Sequence, residues 1–364
     1  MEGVVVIDTD FWRGKRVLVT GHTGFKGAWL SLWLKRLGAH VMGYSIGIPT
    51  EPSLFQALSG DCVDSHIEAD VRDLARLSDV IASAKPEIVF HLAAQSLVRA
   101  SYDDPVGTYA TNVMGTVHLL EAVRQAGGVR AVINVTSDKC YENREIQHAY
   151  TESDPLGGHD PYSSSKGCAE LVTNAYRLSF LSSHAVGVAS VRAGNVIGGG
   201  DWSADRLIPD CARAFSAGRE VVVRNPKSVR PWQHVLDALR GYLLLGQRLY
   251  KDPQRYSKAF NFGPEARDAR PVGDVVSALV MEWGEGASSR IELASDQKGP
   301  HEAHLLMLDS SVAREVLGWR SLLSFEEGVA ITAQWYKAFY AGRDLRSASL
   351  EQLARVEALQ GGAR

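Results

Sequence analysis

Three groups of residues have the types and spacing for proton and hydride chemistry. In "AVINVTSDKC" a β-branched run ends on Ser137, Asp138 and Lys139, crowded together at a strand terminus. In "PYSSSKGCAEL" Tyr162 and Lys166 stand four residues apart, so a helix puts both on one face. A lysine ammonium near a phenol favours the phenolate, which is a usable base for a hydroxyl proton as hydride leaves the same carbon. The third group is Gly21, Gly24 and Gly27 in "TGHTGFKG", placed after one strand pattern and opening a helix. Glycines there let the backbone approach a pyrophosphate, and free amides at a helix start bind the anion. Taken singly, these stretches also read as a capped turn, a surface Tyr–Lys pair and a tight βα turn. Their order, each after a successive strand, favours one site.

The elements that must position these groups alternate from Lys15 onward. The runs "KRVLVT", "AHVMGYS", "EIVFHLAA" and "VRAVINVTS" read as strands, and "AWLSLWLKRLG" and "TYATNVMGTVHLLEAVRQA" as helices. That alternation predicts a Rossmann-type, doubly wound parallel sheet with helices on both faces, and continuously apolar strands fit burial on both sides. After "VGVASVRAGNVIGGGDW" the alternation decays into shorter elements. We expect a dinucleotide-binding domain over 11–194, with 232–264 returning to it. A smaller, discontinuous α/β substrate domain is expected over 195–231 and 265–341. The tail, 342–364, has Leu350, Leu353 and Val356 at helical spacing. It reads as a short amphipathic helix for self-association or as a frayed end.

The whole chain bounds these readings. Its 364 residues, 45% hydrophobic, can bury a large core, and a formal charge of −3 without a basic stripe argues against nucleic acid and a polybasic membrane patch. The N-terminus lacks a basic leader and no apolar run reaches membrane-span length, so a cytoplasmic protein is expected. Cys62, Cys140, Cys168 and Cys211 are widely spaced, which suits reduced thiols. The run "HEAH" at 301–304 lacks the spacing of two imidazoles on one helical face, so no metal is expected.

A dinucleotide following the strand ends would meet Asp70 and Val71 in "EADVRD" and small residues in "HLAAQ". The second strand ends "HVMGYSIG", with no acid for an adenosine ribose and no arginine for a 2'-phosphate. That ending does not separate NAD from NADP.

Over about Phe11 to Tyr340 the chain resembles the extended short-chain dehydrogenase/reductase family, and within it the nucleotide-sugar 4,6-dehydratases. The likeness rests on "FWRGKRVLVTGHTGFKGAWLSLWL", "FHLAAQSLVRASY", "TNVMGTVHLLE", "TSDKCYENRE", "DPYSSSKGCAELV", "SVRAGNVIGGGDWSADRLIPD", "RNPKSVRPWQHVL" and "FNFGP". It implies Tyr162 and Lys166 as the catalytic pair, Ser137 as the active-site hydroxyl and Asp138 as the acid for a departing C6 hydroxyl. It places Gly21, Thr23, Gly24, Phe25, Gly27, Asp70, Val71, Leu92, Ala93, Ala94 and Thr111 along the cofactor, with Tyr162 and Lys166 at its reacting end. Gln95, Asn195, Arg206, Arg230, Asn261 and His301 match positions that hold the sugar nucleotide. Arg230 also suits a diphosphate as a fixed charge.

The implied reaction is oxidation at C4, loss of water across C5 and C6, and return of the same hydride to C6. The implied cofactor is NAD, and the implied substrate CDP-glucose or a similar sugar nucleotide. The cytosine preference comes from resemblance alone. A 4-epimerase would need the same Tyr–Lys pair but has no leaving hydroxyl for Asp138, while a non-catalytic cofactor-binding protein would need neither. Many family members follow the Asp with a Glu, and here that position is Lys139. Lys139 is then the C5 base if bound sugar buries it, or a cation that stabilises the enolate. The helices "TYATNVMGTVHLLEAVRQA" and "PYSSSKGCAELVTNAYRLSF" are apolar around more than one face, and the family pairs them in a homodimer; a tetramer is also open.

Overall fold

A computed structural model of the chain describes residues 5–223, 225–265, 269–291 and 305–362. Seven parallel strands form the central sheet: β1 (Arg16–Thr20), β2 (His40–Ser45), β3 (Ser65–Glu68), β4 (Ile88–His91), β5 (Ala131–Val135), β6 (Gly187–Ala193) and β7 (Ala259–Phe262). Their order across the sheet is β7-β6-β5-β4-β1-β2-β3, the doubly wound arrangement expected. Because side chains alternate along a strand, Val17 and Val19 join Trp29 and Trp33 on one face while Leu18 joins Leu77 and Leu119 on the other. All of these are fully buried, each worth roughly 1.5–3 kcal/mol for a branched aliphatic side chain.

The crossover helices carry their start signals in sequence. α1 (Phe25–Arg36) begins at the glycine loop, and α2 (Leu74–Ala84) is capped by Asp73, whose carboxylate accepts from Arg76 N. α3 (Gly115–Ala126) continues a wider π turn at 110–114. α4 (Pro161–Tyr176) starts with Asp160 as cap and Pro161 in the first turn. The strand order reverses between β1 and β4, which leaves a crevice at their C-terminal ends. The glycine loop leaves β1 there and "LAAQ" leaves β4, so topology alone brings Gly21 to Ala93.

Beyond β6 the sheet gives way to α5 (Leu207–Ser216), α6 (Val235–Lys251), α7 (Val272–Trp283), α8 (Phe325–Tyr340) and several two-stranded pairings, such as 229–231 with 269–271. α6 is buried around most of its circumference and leads into β7, which pairs with β6 in the main sheet.

The tail differs from both expectations. It forms α9 (Leu345–Gly362), and its apolar stripe is spent inside the molecule. Leu353 and Val356 are fully buried, Gln352 Nε2 donates to Ile331 O at 2.8 Å, and Trp33 Nε1 donates to Glu357 Oε1 at 3.1 Å. The helix closes over α8 and α1, so Leu353 and Val356 are spent within the chain.

Candidate active site

A cleft of about 1050 Å³ runs along the C-terminal ends of the strands, from Ser45 and Asp70 at one end to Arg206 and Arg230 at the other. Pockets for one small ligand span about 300–1,000 Å³, so this cleft has room for two ligands end to end. The three groups with chemical potential meet at its middle.

Ser137 caps a short 3₁₀ turn (Asp138–Cys140) at the end of β5, which aims its hydroxyl and the Asp138 carboxyl into the cleft. Ser137 Oγ donates to Asp138 Oδ1 at 3.0 Å, while buried Asp138 Oδ2 has no protein partner. Burial raises the Asp138 pKa; the Lys139 charge, the Ser137 hydrogen bond, Lys26 and Arg230 oppose it without reversing it. Asp138 is thus biased toward its protonated form, as a proton donor must be. Lys139 beside it is half-buried on the same wall.

α4 brings Tyr162 and Lys166 to the cleft one turn apart, both buried. Burial pushes the Tyr162 phenol up to about 12, against a Ser137 hydrogen bond and the Arg206 charge. Burial also draws the Lys166 amine down to about 8, against Glu170. Lys166 Nζ donates to Val135 O at 3.3 Å, so its charge is held at the strand end behind the phenol.

The glycine wall fits a dinucleotide in detail. Gly21 has φ +74°, and a Cβ there would sit 2.7 Å from Ala93 N; on Gly27 it would sit 2.1 Å from Gly21 O. These two glycines close the loop against β4 and the helix against the loop. At Gly24 a Cβ would only touch Gly21 O, at 3.4 Å, and as the α1 cap Gly24 supplies no side chain to the first-turn amides, which leaves them for an anion. Thr23, Phe25, Leu92, Ala93, Ala94 and Thr111 line the cleft beside this loop. Asp70 and Val71 line its far end, where Arg72 pairs with Asp70 through Nε at 2.8 Å. That guanidinium is engaged, and the second strand and the turn after it contribute Ser45, Ile46, Gly47, Ile48 and Pro49.

On the opposite wall Asn195, Arg206 and Arg230 line the cleft as expected. Arg206 NH1 lies 3.4 Å from Asp201 Oδ2, and Arg230 NH1 donates to Val229 O at 3.0 Å. Two expected substrate residues are not brought there. Gln95 turns inward, with Nε2 donating to Leu97 O at 3.0 Å and Thr108 Oγ1 at 2.9 Å. Asn261 is wholly buried on β7, where Oδ1 accepts from the Tyr141 hydroxyl at 2.7 Å and Nδ2 donates to Tyr150 O and Asp309 O at 2.8 and 3.0 Å. Both amides brace loops, since their hydrogen-bonding groups are already used. His301 lies outside the described residues.

The structure adds three groups the sequence reading passed over. Lys26, in the first turn of α1, lines the cleft, and burial pulls its amine down to about 8, helped by Arg206. A cation at a helix N-terminus opposes the helix dipole, and that was a signal available in "GFKG". Arg99 pairs across the cleft mouth with Asp205 at 3.0 Å. Glu170, buried behind the cleft, continues the Tyr162–Lys166 face by one more turn of α4. Among the described residues no three His, Cys, Asp or Glu side chains cluster as metal ligands, and no helix is long and apolar enough to cross a membrane.

Comparison with known proteins agrees with this geometry. The chain is 53% identical over 355 residues to CDP-glucose 4,6-dehydratase of Salmonella typhimurium, covering 96% of this chain and 98% of that one. It is 30% identical over 326 residues to UDP-glucose 4-epimerase of Mycolicibacterium smegmatis, covering 88% and 98%. The solved structure of MoeE5 in complex with UDP-glucose and NAD superposes with a TM-score of 0.73 at 26% identity, over 89% of this chain and 99% of that one. The family model described as GDP-mannose 4,6 dehydratase matches residues 18–332, and the chain belongs to that family.

Proposed function

We propose that the protein converts CDP-D-glucose to CDP-4-keto-6-deoxy-D-glucose and water, using NAD that is restored in each turnover. The observation that carries this reading is the unpartnered Asp138 oxygen in the cleft beside Ser137, Tyr162 and Lys166. Oxidation at C4 needs the Tyr–Lys pair, and only elimination needs a proton donor at C6. A 4-epimerase has no departing hydroxyl, and a non-catalytic binding protein needs neither group. Likeness to a CDP-glucose 4,6-dehydratase along nearly the whole chain supports the choice of base.

Gly21, Thr23, Gly24, Phe25 and Gly27 would hold the NAD pyrophosphate, Asp70 and Val71 its adenine end, and Leu92, Ala93, Ala94 and Thr111 its middle. When bound, NAD accepts a hydride from C4 and returns it to C6. Tyr162, with Ser137 hydrogen-bonded to it, takes the C4 hydroxyl proton, and Lys166 on the same face of α4 supplies a positive charge to the phenolate that forms. The C4 ketone acidifies the C5 proton, which Lys139 removes and gives back to C5 as the hydride reaches C6. Sugar closing over this half-buried amine withdraws it from water, the condition under which a lysine gives up its proton. Asp138 delivers its proton to the departing C6 hydroxyl. Asn195, Arg206 and Arg230 hold the nucleotide, with the guanidinium groups on the diphosphate. We assign sugar-nucleotide binding to 195–231 and 265–341, and dinucleotide binding to 11–194 with 232–264.

The reading extends to assembly. Val106, Tyr109 and Met114 ahead of α3, and Leu171, Leu178 and Phe180 on and after α4, are exposed apolar side chains on adjacent helices. A face of that kind suits a second copy, giving a homodimer with a tetramer open. Sugar nucleotides are cytoplasmic metabolites, and the enzyme belongs with them. The test is incubation of purified protein and NAD with CDP-glucose. A keto-sugar chromophore in alkali is expected; CDP-galactose in its place would overturn the dehydratase reading, and equal turnover of dTDP-glucose would overturn the choice of base.

A further inference from the structure

Behind the cleft, Glu170 is buried and its carboxylate is fully used. Thr136 Oγ1 donates to Oε1 at 2.5 Å, Ser190 Oγ to Oε2 at 2.6 Å, and Arg192 closes a two-pronged pair through Nε at 2.9 Å and NH2 at 2.8 Å. Arg192 NH1 then donates to the Tyr141 hydroxyl at 2.7 Å, and Tyr141 donates to Asn261 Oδ1 at 2.7 Å. The network begins one turn past Lys166. It ends where strands 149–150 and 307–308 pair, at the Tyr150 and Asp309 carbonyls held by Asn261.

A buried ion pair is weak evidence of a stabilising role, because neutral packing of similar volume often serves a core as well. Neutral packing would not place a negative charge beside Lys166. The titratable groups facing this ammonium are Tyr162 and Glu170 on its own helix, Asp138 and Cys140 after β5, His91 on β4 and Lys26 on α1. Burial keeps His91 neutral, with its imidazole pushed down to about 3, and raises the Asp138, Cys140 and Tyr162 pKa values toward their neutral forms. Lys26 is a second cation. Glu170 is the carboxylate of this cluster whose pKa is lowered, because its hydrogen bonds and the Arg192 charge outweigh burial. Arg177 adds a further positive charge to its surroundings.

We propose that Glu170 is a positioning residue for C4 oxidation. It anchors the Thr136–Ser137 strand end to the helix bearing Tyr162 and Lys166, and it keeps the Lys166 ammonium charged. Arg192, Tyr141 and Asn261 tie that carboxylate to the segment where strands 149–150 and 307–308 pair. The proposal rests on the Tyr162–Lys166 reading of the site. Thr136 is the direct link: its hydroxyl is held by Glu170 and its neighbour is the Ser137 that meets the phenol.

The experiment compares keto-sugar formation from CDP-glucose across pH for the full-length parent, Glu170→Gln, Glu170→Asp, the paired Glu170→Gln/Arg192→Met, and Thr136→Val. In the protein without substrate, nitrogen NMR of the lysine side chains follows the Lys166 titration. Glu170→Gln is expected to move the alkaline limb of the rate, and the Lys166 titration, to lower pH by about one unit or more. The paired variant, which leaves neither Glu170 nor Arg192 buried without its partner, should shift the same way and carries the test if Glu170→Gln does not fold. Glu170→Asp should restore most of the shift, and Thr136→Val should lower kcat at every pH with the limb unmoved. An unmoved limb and titration in both charge-removing variants would overturn the proposal. A shift in Thr136→Val as large as in Glu170→Gln would overturn the charge role. A parent protein that forms no keto-sugar rejects the functional reading itself, whereas an active parent with unmoved variants rejects the Glu170 role alone.

Discussion

Two carboxylates flank the Tyr162–Lys166 pair and are treated in opposite ways. Glu170, behind the pair, has every lone pair engaged by Thr136, Ser190 and Arg192, and its pKa ends below the ordinary carboxylate value despite burial. Asp138, in front of the pair, has one donor from Ser137 and a bare oxygen, and burial leaves its pKa raised. The same functional group is therefore held toward its charged form on one side and toward its protonated form on the other. What separates them is the number of donors the fold supplies, since both are removed from water. The fold completes the shell where charge has to stay and leaves it incomplete where a proton has to move.

Removing the group between the two regions should have the largest effect. Tyr162→Phe takes away the base for the C4 hydroxyl, and product formation should fall by about 10²–10⁴-fold with no NADH absorbance on adding CDP-glucose. Retained NADH formation would move the base elsewhere. Next, Lys139→Met tests the cleft side alone: C4 oxidation should persist while exchange of the C5 proton with deuterated solvent falls by about 10²-fold. Unchanged exchange would remove Lys139 as the base.

Stability should separate the two carboxylates by sign. Asp138 has a raised folded pKa, so its charge costs stability above its unfolded pKa, and that cost disappears as pH falls below it. Asp138→Asn is expected to raise Tm at neutral pH, on the order of 1–3 °C, and to lose the gain in acid. Glu170 has a lowered folded pKa, so its contribution is present above the unfolded pKa and lost as pH falls through the folded one. Glu170→Gln should therefore lower Tm at neutral pH, read in the same melting series. A matching sign for both variants would break the comparison. The smallest effect concerns Asn261, where Asn261→Ala should cost about 1–3 kcal/mol of stability through its unpaired neighbours while KM for CDP-glucose stays near the parent value. A rise in KM at unchanged stability would return Asn261 to the substrate wall.

How much of this was legible in sequence follows the range of each signal. The glycine loop and the Tyr–Lys pair depend on spacings of three and four residues within one element, and the structure brings both to the cleft. The parallel sheet was legible because burial on both faces leaves continuous apolar runs such as "AVINV". The bracing contacts of Asn261 were not legible because its partners lie far along the chain: Tyr141 is 120 positions away and Tyr150 is 111. The inward turn of Gln95 was not legible because its bonds to Leu97 and Thr108 depend on how a loop folds back. The tail's apolar stripe was visible, but which surface it would cover was not; α8 and α1 take it. Glu170 was in reach, one turn beyond Lys166, yet its meaning depends on Arg192 on β6.

The central claim is that Asp138 serves elimination and not oxidation. The direct measurement mixes NAD-loaded Asp138→Asn with CDP-glucose, follows NADH absorbance, and weighs the sugar nucleotide by mass spectrometry. The account predicts that NADH absorbance appears and persists while the sugar nucleotide loses no water. Dehydration at the parent rate, or failure of NADH absorbance to appear in a variant that folds, would contradict it.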